Sequence, residues 1–254
     1  MLAFDSQGSG SPVVFLHGFC ESKAIWTDFI PLLPQNHQYF SLDLPGFGES
    51  YANTNHQSME AMAEEVYDLL TSQHIGKAIF VCHSLGAYVA LALAEKYPEL
   101  FAGLCLFHSS ALADSEERKL SRNKTADFID KKGLEVFLES FVPSLFYKNR
   151  REALTPEIEK VKQICLKTPK QTAVAVTLAM RDRPDRTHVL ANADFPVSFI
   201  MGKADELAVL EPNKPQFFLP KQAAIYLLAE TAHVGMYERP QETANMLSGF
   251  FNLC

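Results

Sequence analysis

The sequence predicts an α/β fold in which a mostly parallel central sheet is flanked by helices and carries an inserted helical lobe. Three observations carry this expectation. Short apolar runs rich in Val, Ile, Leu and Phe recur without strict alternation, as strands buried on both faces do. Helical apolar spacing fills the gaps between several of them. One long stretch, residues 112–194, has helical patterns and no strand run at all.

The strand runs are Val13–Leu16, Tyr39–Leu44, Ala78–Cys82, Gly103–Phe107, Val197–Met201 and Ala224–Leu228. After the first, Trp26, Phe29, Ile30 and Leu33 fall at i, i+3, i+4 and i+7 and predict a helix. Met62, Val66, Leu69 and Leu70 predict another, capped by Ser58. Leu85–Lys96 is apolar on most sides, as a helix pressed against a sheet is, and Pro98 helps to end it. Helical patterns then run over Glu116–Lys131, Leu134–Phe146, Pro156–Lys167 and Gln171–Arg181, punctuated by Pro143, Pro156, Pro169 and Pro184. Leu134, Phe137, Leu138 and Phe141 give one of them a clear apolar face. A last helix follows Pro240, with Ala244, Leu247 and Phe251 inward. Residues 1–111 and 195–254 therefore read as the α/β core, and 112–194 as the insertion.

Composition restricts partners more than chemistry. A chain of 254 residues, 47% apolar and 21% charged, is that of an ordinary globular protein. Its formal charge of −7, with no uninterrupted basic block, argues against a nucleic-acid partner. The densest basic stretch, Arg118 to Lys124, follows Asp114, Glu116 and Glu117. It reads as a solvated mixed-charge helix, with contact to an anionic substrate as the alternative. The five cysteines, Cys20, Cys82, Cys105, Cys165 and Cys254, stand at no metal or redox spacing, and their odd number fits a reducing compartment. No secretory leader is visible, and no apolar run approaches the roughly 20 residues a bilayer span needs. The expectation is a cytoplasmic protein with no membrane partner, its oligomeric state left open.

The chemistry is concentrated at Cys82-His83-Ser84-Leu85-Gly86, where a strand runs into a helix. A sharp strand-to-helix turn forces its middle side chain outward and needs small neighbours two positions away on each side. Gly86 meets that need, and Cys82 meets it in part. Ser84 then sits at a helix N-terminus, whose unpaired N–H groups stabilise developing negative charge. A serine hydroxyl needs a base, and the base needs a carboxylate to hold its tautomer. His233 lies just past the last strand run, and Asp205 just past the run Val197–Met201, with Glu206 beside it as an alternative acid. Both fall at the carboxyl ends of strands, where open α/β sheets bind ligands. His37, His56, His74 and His188 lie in polar or helix-end contexts and read as solvated or structural. His17-Gly18-Phe19 follows the first strong strand run. There the N–H of Phe19 joins that of Leu85 as an oxyanion-hole donor, while His17 reads as a structural hydrogen-bonding residue. The glycines of Asp43-Leu44-Pro45-Gly46-Phe47-Gly48-Glu49-Ser50 suggest a phosphate loop, but neither nucleotide-binding glycine pattern is present.

In their order along the chain, His17-Gly18-Phe19, Asp43 to Ser50, Cys82 to Gly86, Gly202-Lys203-Ala204-Asp205 and Ala232-His233 resemble the α/β-hydrolase superfamily. The resemblance is to its capped hydrolases, a group that includes esterases, acyl-transfer enzymes and carbon–carbon bond hydrolases. It implies Ser84 as nucleophile, Asp205 as orienting acid, His233 as base, and Phe19 and Leu85 as oxyanion donors. It implies too that the insertion is a cap over the substrate, and that the family's first antiparallel strand is missing or reduced to Met1–Phe4. Cys82 departs from the usual glycine at its position, and its β-carbon tightens the elbow. The function expected is acyl transfer on a small carboxylic ester, with thioester or carbon–carbon bond hydrolysis as alternatives on the same triad. A ligand-binding protein that kept the fold without catalysis is the rival from another class. No cofactor and no metal are expected, since ligand residues do not cluster at recognised spacings.

Overall fold

The apolar runs pair into one sheet. The computed structural model describes residues 2–51 and 57–254. Its strands are β1 (Phe4–Gly8), β2 (Ser11–Leu16), β3 (His37–Leu42), β4 (Ala78–His83), β5 (Phe101–Phe107), β6 (Val197–Gly202) and β7 (Ala223–Leu228), in the spatial order β1-β3-β2-β4-β5-β6-β7. All neighbouring pairs are parallel except β1 with β3. The interior strands are buried along most of their length because helices cover both faces, which is why they read as continuous apolar runs.

Two sequence expectations are corrected. The first antiparallel strand is neither missing nor confined to residues 1–4, of which Met1 lies outside the described residues. It runs from Phe4, opposite Leu42, to Gly8, opposite Gln38. Asp5, Ser6 and Gln7 are exposed on this sheet edge, so backbone pairing holds a strand that shows no apolar run. The helix predicted on Trp26, Phe29, Ile30 and Leu33 is replaced by two short 3-10 turns, Lys23–Trp26 and Ile30–Leu32. Pro31 and Pro34 remove N–H donors that a continuous helix would need, while all four apolar side chains are buried as read.

The remaining helices follow the pattern closely. In α1 (Met59–Ser72), Ser58 Oγ accepts the Ala61 N–H at 3.1 Å, the predicted cap. The predicted bounds of α2 (Leu85–Lys96) are those observed. Between β5 and β6 lie α3 (Glu116–Lys132), α4 (Leu134–Ser144), α5 (Thr155–Cys165), α6 (Lys170–Asp182) and the short α7 (Thr187–Ala191). Gly133, at φ +93°, turns α3 into α4, and α3 packs on α6. Two further short helices, α8 (Leu210–Asn213) and α9 (Gly235–Glu238), precede the closing α10 (Pro240–Phe251). Among the described residues no helix is long and apolar enough to cross a membrane.

The strand order positions the site. From β2 the chain moves outward to β3, then returns to the other side of β2 as β4 and continues through β5, β6 and β7. The direction reverses between β2 and β4, and a crevice opens at such a switch point beyond the carboxyl ends of the strands. The loop after β2 carries Phe19, and the turn after β4 carries Ser84.

Candidate active site

Ser84 is the N-cap of α2, with φ +47° and ψ −111°, a conformation that non-glycine residues avoid. The turn is held from both sides. The Ser84 N–H donates to the Phe107 carbonyl at 3.1 Å, and Ser109 Oγ donates to the Ser84 carbonyl at 2.8 Å. Close approach of helix to strand is possible because residue 86 is glycine. A β-carbon there would lie 2.6 Å from the Leu16 carbonyl oxygen and 2.8 Å from that of His17.

Ser84 Oγ lies 2.9 Å from His233 Nε2, and His233 Nδ1 lies 2.8 Å from Asp205 Oδ2. A carboxylate can only accept, so Nδ1–H donates to Asp205, leaving Nε2 to accept from the serine hydroxyl. The second oxygen of Asp205 accepts the N–H groups of Leu207 at 2.8 Å and Ala208 at 2.9 Å. Burial opposes ionisation of Asp205, but the His233 and His108 contacts overcome it and hold the carboxyl well below its ordinary range. Glu206 is exposed, and the carboxylate bonded to His233 is that of Asp205.

The loops carrying acid and histidine lock together. Ala204 N–H donates to the Thr231 carbonyl at 3.0 Å, and Lys203 N–H to that of Leu228 at 2.9 Å. Gly202 lets this happen, since a side chain there would strike the carbonyls of Thr231 and Ala232. The Glu238 carboxylate accepts the N–H groups of Ala232, at 2.7 Å, and Tyr147, at 2.8 Å, while the His233 N–H donates to the Leu145 carbonyl at 2.8 Å. The segment 145–147 that follows α4 is thereby fastened to the histidine loop.

Of the oxyanion candidates, Leu85 is the first residue of α2, where N–H groups lack intrahelical acceptors, and Phe19 follows β2 across the switch point. Phe19 lines the same cavity as Ser84 and His233. His17 is structural: its Nδ1 donates to the Gly18 carbonyl at 2.8 Å and its Nε2 accepts the Leu44 N–H at 3.0 Å. The loop after β3 organises itself around Asp43, whose carboxylate accepts the N–H groups of Lys23 and Glu49. His37 and His188 bond Asn36 and Glu95 at the surface, and His56 lies outside the described residues.

Glu21, His83 and His108 escaped the sequence reading, and Arg118 and Arg122 appeared there only as the alternative to a solvated helix. His83, immediately before Ser84, bridges Glu21 Oε2 and the His233 carbonyl, each at 2.9 Å. His108, one residue past β5, places Nδ1 3.4 Å from Asp205 Oδ2 and accepts the Gly235 N–H at Nε2, at 3.2 Å. Its place at a strand's carboxyl end was the available signal. Arg118 and Arg122 of α3 line the cavity, so the basic stretch is not simply a solvated helix. The ligand-type atoms of His108, Asp205 and His233 lie within 4.8 Å of one another, but each is already engaged in the hydrogen bonds above.

The cavity, about 40 Å³, is walled by Phe19, Tyr88, Phe141, Leu145 and Met180 and by the polar residues named above. A larger hollow of about 370 Å³, lined by Lys77, Glu95, Phe101, His188 and Phe195, opens at the amino ends of β4 to β6. That is the opposite end from the crevice this sheet topology creates.

Comparison with known proteins agrees with this architecture. Residues 11–145 match the family model described as the alpha/beta hydrolase fold. The pimeloyl-[acyl-carrier protein] methyl ester esterase of Photobacterium profundum is 25% identical over 255 residues, covering 98% of this chain and 98% of that protein. The biotin biosynthesis bifunctional protein BioHC of Teredinibacter turnerae is 24% identical over 263 residues. That match takes in 96% of this chain but 45% of the relative, so the chain spans less than half of its length. A thermophilic esterase from Thermogutta terrifontis, solved with malate bound, superposes with a TM-score of 0.92 at 29% identity, covering 99% of this chain and 93% of the other.

Proposed function

This chain belongs to the α/β-hydrolase family and is a hydrolase, and on that premise we propose that it is a serine esterase acting on small carboxylic esters. The observation that carries the proposal is the continuous line Ser84 Oγ–His233 Nε2, 2.9 Å, and His233 Nδ1–Asp205 Oδ2, 2.8 Å. A relative named for methyl ester hydrolysis and a solved esterase support the choice of an ester among carbonyl substrates.

As Ser84 Oγ bonds to the ester carbonyl carbon, His233 Nε2 takes its proton, and Asp205 stabilises the imidazolium. The N–H groups of Phe19 and Leu85 receive the oxyanion. Collapse breaks the bond to the alkoxy oxygen, which leaves as alcohol with the proton from His233. Water then repeats the sequence on the acyl-serine, releasing the carboxylic acid and restoring Ser84. Residues 112–194 act as the cap over this chemistry.

A fluorophosphonate probe tests the reading. Labelling at Ser84, together with a loss of about 10⁴-fold or more in ester turnover for Ser84→Ala, is the expected result. An inert Ser84 in folded protein would instead favour a ligand-binding module.

A further inference from the structure

Arg118 and Arg122 stand four residues apart on α3, hence on one face, and both line the cavity that contains Ser84. Like charges at that spacing repel, so something must compensate them. The protein supplies little. Arg118 Nη2 donates to the Leu207 carbonyl at 2.9 Å, which brings no negative charge. Arg122 Nε donates to Asp114 Oδ2 at 3.1 Å, but the other oxygen of that carboxylate is taken by Arg183 Nη1 at 2.7 Å.

Arg183 is held by its Nη groups. It also donates to the carbonyls of Met180 and Leu112, and its guanidinium lies over the Tyr88 ring, 3.9 Å from the centroid. Two guanidinium groups, those of Arg122 and Arg183, therefore share one carboxylate, and that of Arg118 has none. Glu21, the acidic residue on the cavity wall, is matched by His83. Among the described residues, both Nη groups of Arg122 and Nη1 of Arg118 have no protein acceptor. Burial, reinforced by the Arg118 and Arg183 charges, holds Arg122 below the ordinary arginine range against the pull of Asp114. In a chain whose net charge is −7, the charged side chains that residues 112–194 place on this cavity, Arg118 and Arg122, are both cationic.

We propose that the substrate carries a free carboxylate besides its ester, and that Arg118 and Arg122 bind this carboxylate while Ser84 takes the ester carbonyl. Paired guanidinium groups suit a carboxylate because their planar donors match its two oxygens. This inference rests on the esterase reading and adds the substrate class: monoesters of short dicarboxylic acids, or acyl esters of small hydroxy acids.

Two matched pairs of esters separate the sources of the carboxylate. Monomethyl glutarate against methyl pentanoate places it on the acyl side; acetoxyacetate against ethyl acetate places it on the alcohol side. The expected result is a kcat/KM at least tenfold higher for the acid in one of the pairs, with that ratio falling tenfold or more in Arg118→Gln and Arg122→Gln, chiefly through KM. Arg118→Gln removes a single bond to a carbonyl and so keeps the test valid should Arg122→Gln disturb the Asp114 cluster. Neutral esters cleaved as well as the acids in both pairs, or a preference indifferent to both arginines, would overturn the proposal.

Calorimetric titration of glutarate into Ser84→Ala protein supplies a readout independent of turnover. Binding weakened tenfold or more by adding Arg118→Gln is expected, and no heat of binding counts against the subsite. A protein that labels with fluorophosphonate at Ser84 yet shows no acid preference loses only this inference. One whose Ser84 is inert while glutarate still binds through the arginines loses only the esterase reading.

Discussion

His83 Nε2 donates a hydrogen bond to the carbonyl oxygen of His233 at 2.9 Å, so the residue before the serine grips the backbone of the histidine that faces it. On the other side of the ring, Nδ1 lies 2.9 Å from Glu21 Oε2, which also accepts the Gly18 N–H at 2.6 Å. Carbonyl and carboxylate oxygens only accept, so both ring nitrogens carry protons. Burial alone would lower the His83 pKa. The Glu21 carboxylate and the His233 carbonyl outweigh it and raise the value, while His83 and Gly18 hold Glu21 low against its own burial. A buried imidazolium–carboxylate pair thus ties the Phe19 loop, the elbow and the histidine loop together.

Removing one member leaves the other charged and unpaired. Glu21→Ala or His83→Gln alone should destabilise by about 3–5 kcal/mol. The double variant should lose less than the sum, by about 1–3 kcal/mol, in a denaturant-unfolding cycle. His83, with its raised folded pKa, contributes fully below its unfolded value of about 6.5 and loses that contribution as pH rises through the folded value. Glu21, depressed, contributes above about 4.3 and loses its share as pH falls through its folded value. The coupling therefore peaks between the two folded values. Strictly additive single effects, or a coupling that persists undiminished into alkaline solution, would show that no such pair exists.

His108 titrates in the opposite sense. Burial drives its pKa down to about 4, so the native ring stays neutral where the unfolded chain, near 6.5, binds a proton. Between those values the unfolded state holds more protons, and stability falls as pH drops, by of the order of 3 kcal/mol. His108→Asn keeps a residue type that tolerates the φ of +50° found there. From pH 7 to pH 4, unfolding free energies of wild type and variant should converge by about that amount. Parallel curves would remove His108 as the source.

The elbow is asymmetric in what it tolerates. At Gly86 a β-carbon would press on strand carbonyls that cannot move aside, so Gly86→Ala should cost about 1–3 kcal/mol and lower kcat by displacing the Ser84 turn. Cys82 instead fits with its side chain fully buried in β4, between Leu16 and Leu106. Restoring glycine there should lower Tm, because it empties a packed site and adds about 0.5–1 kcal/mol of strand flexibility. Turnover should stay near the wild-type level. A Cys82→Gly protein with higher Tm than wild type would mean that the cysteine strains the turn after all.

Strands β2 to β6 were readable because burial on both faces selects apolar residues along most of their length, and edge strand β7 because it keeps an apolar run although Ile225 and Leu227 are exposed. Strand β1 was not, because an edge strand with exposed Asp5, Ser6 and Gln7 is held by backbone pairing that leaves no trace in hydropathy. Likewise Trp26, Phe29, Ile30 and Leu33 reported burial correctly and conformation wrongly, since Pro31 acts on the backbone alone. At the site, Ser84, Asp205 and His233 each announce themselves by following a strand. Glu21 and Arg122 do not, because what they face is distant in sequence: His83 lies 62 residues from Glu21, and Arg122 shares its cavity with Phe19, Ser84 and His233. A buried pair of that kind becomes visible only once the strand order is known.

Phe141 places α4 against the cavity that holds Ser84. Its ring lies 5.9 Å from that of Phe19 and stacks on Phe137 at 4.8 Å, and it forms part of the cavity wall. On the same helix Leu134, Leu138 and Val142 are buried, so α4 stays anchored when Phe141 is cut back. Phe141→Ala therefore enlarges the space beside the acyl-serine without releasing the helix. A methylene accommodated in an apolar pocket is worth about 1–3 kcal/mol in selectivity. The ratio of kcat/KM for p-nitrophenyl butyrate over p-nitrophenyl acetate should accordingly rise about tenfold in Phe141→Ala, with the acetate less affected. If both esters fall together by the same factor, Phe141 serves to position Phe19 rather than to bound the acyl chain, because loss of an oxyanion donor penalises every ester alike.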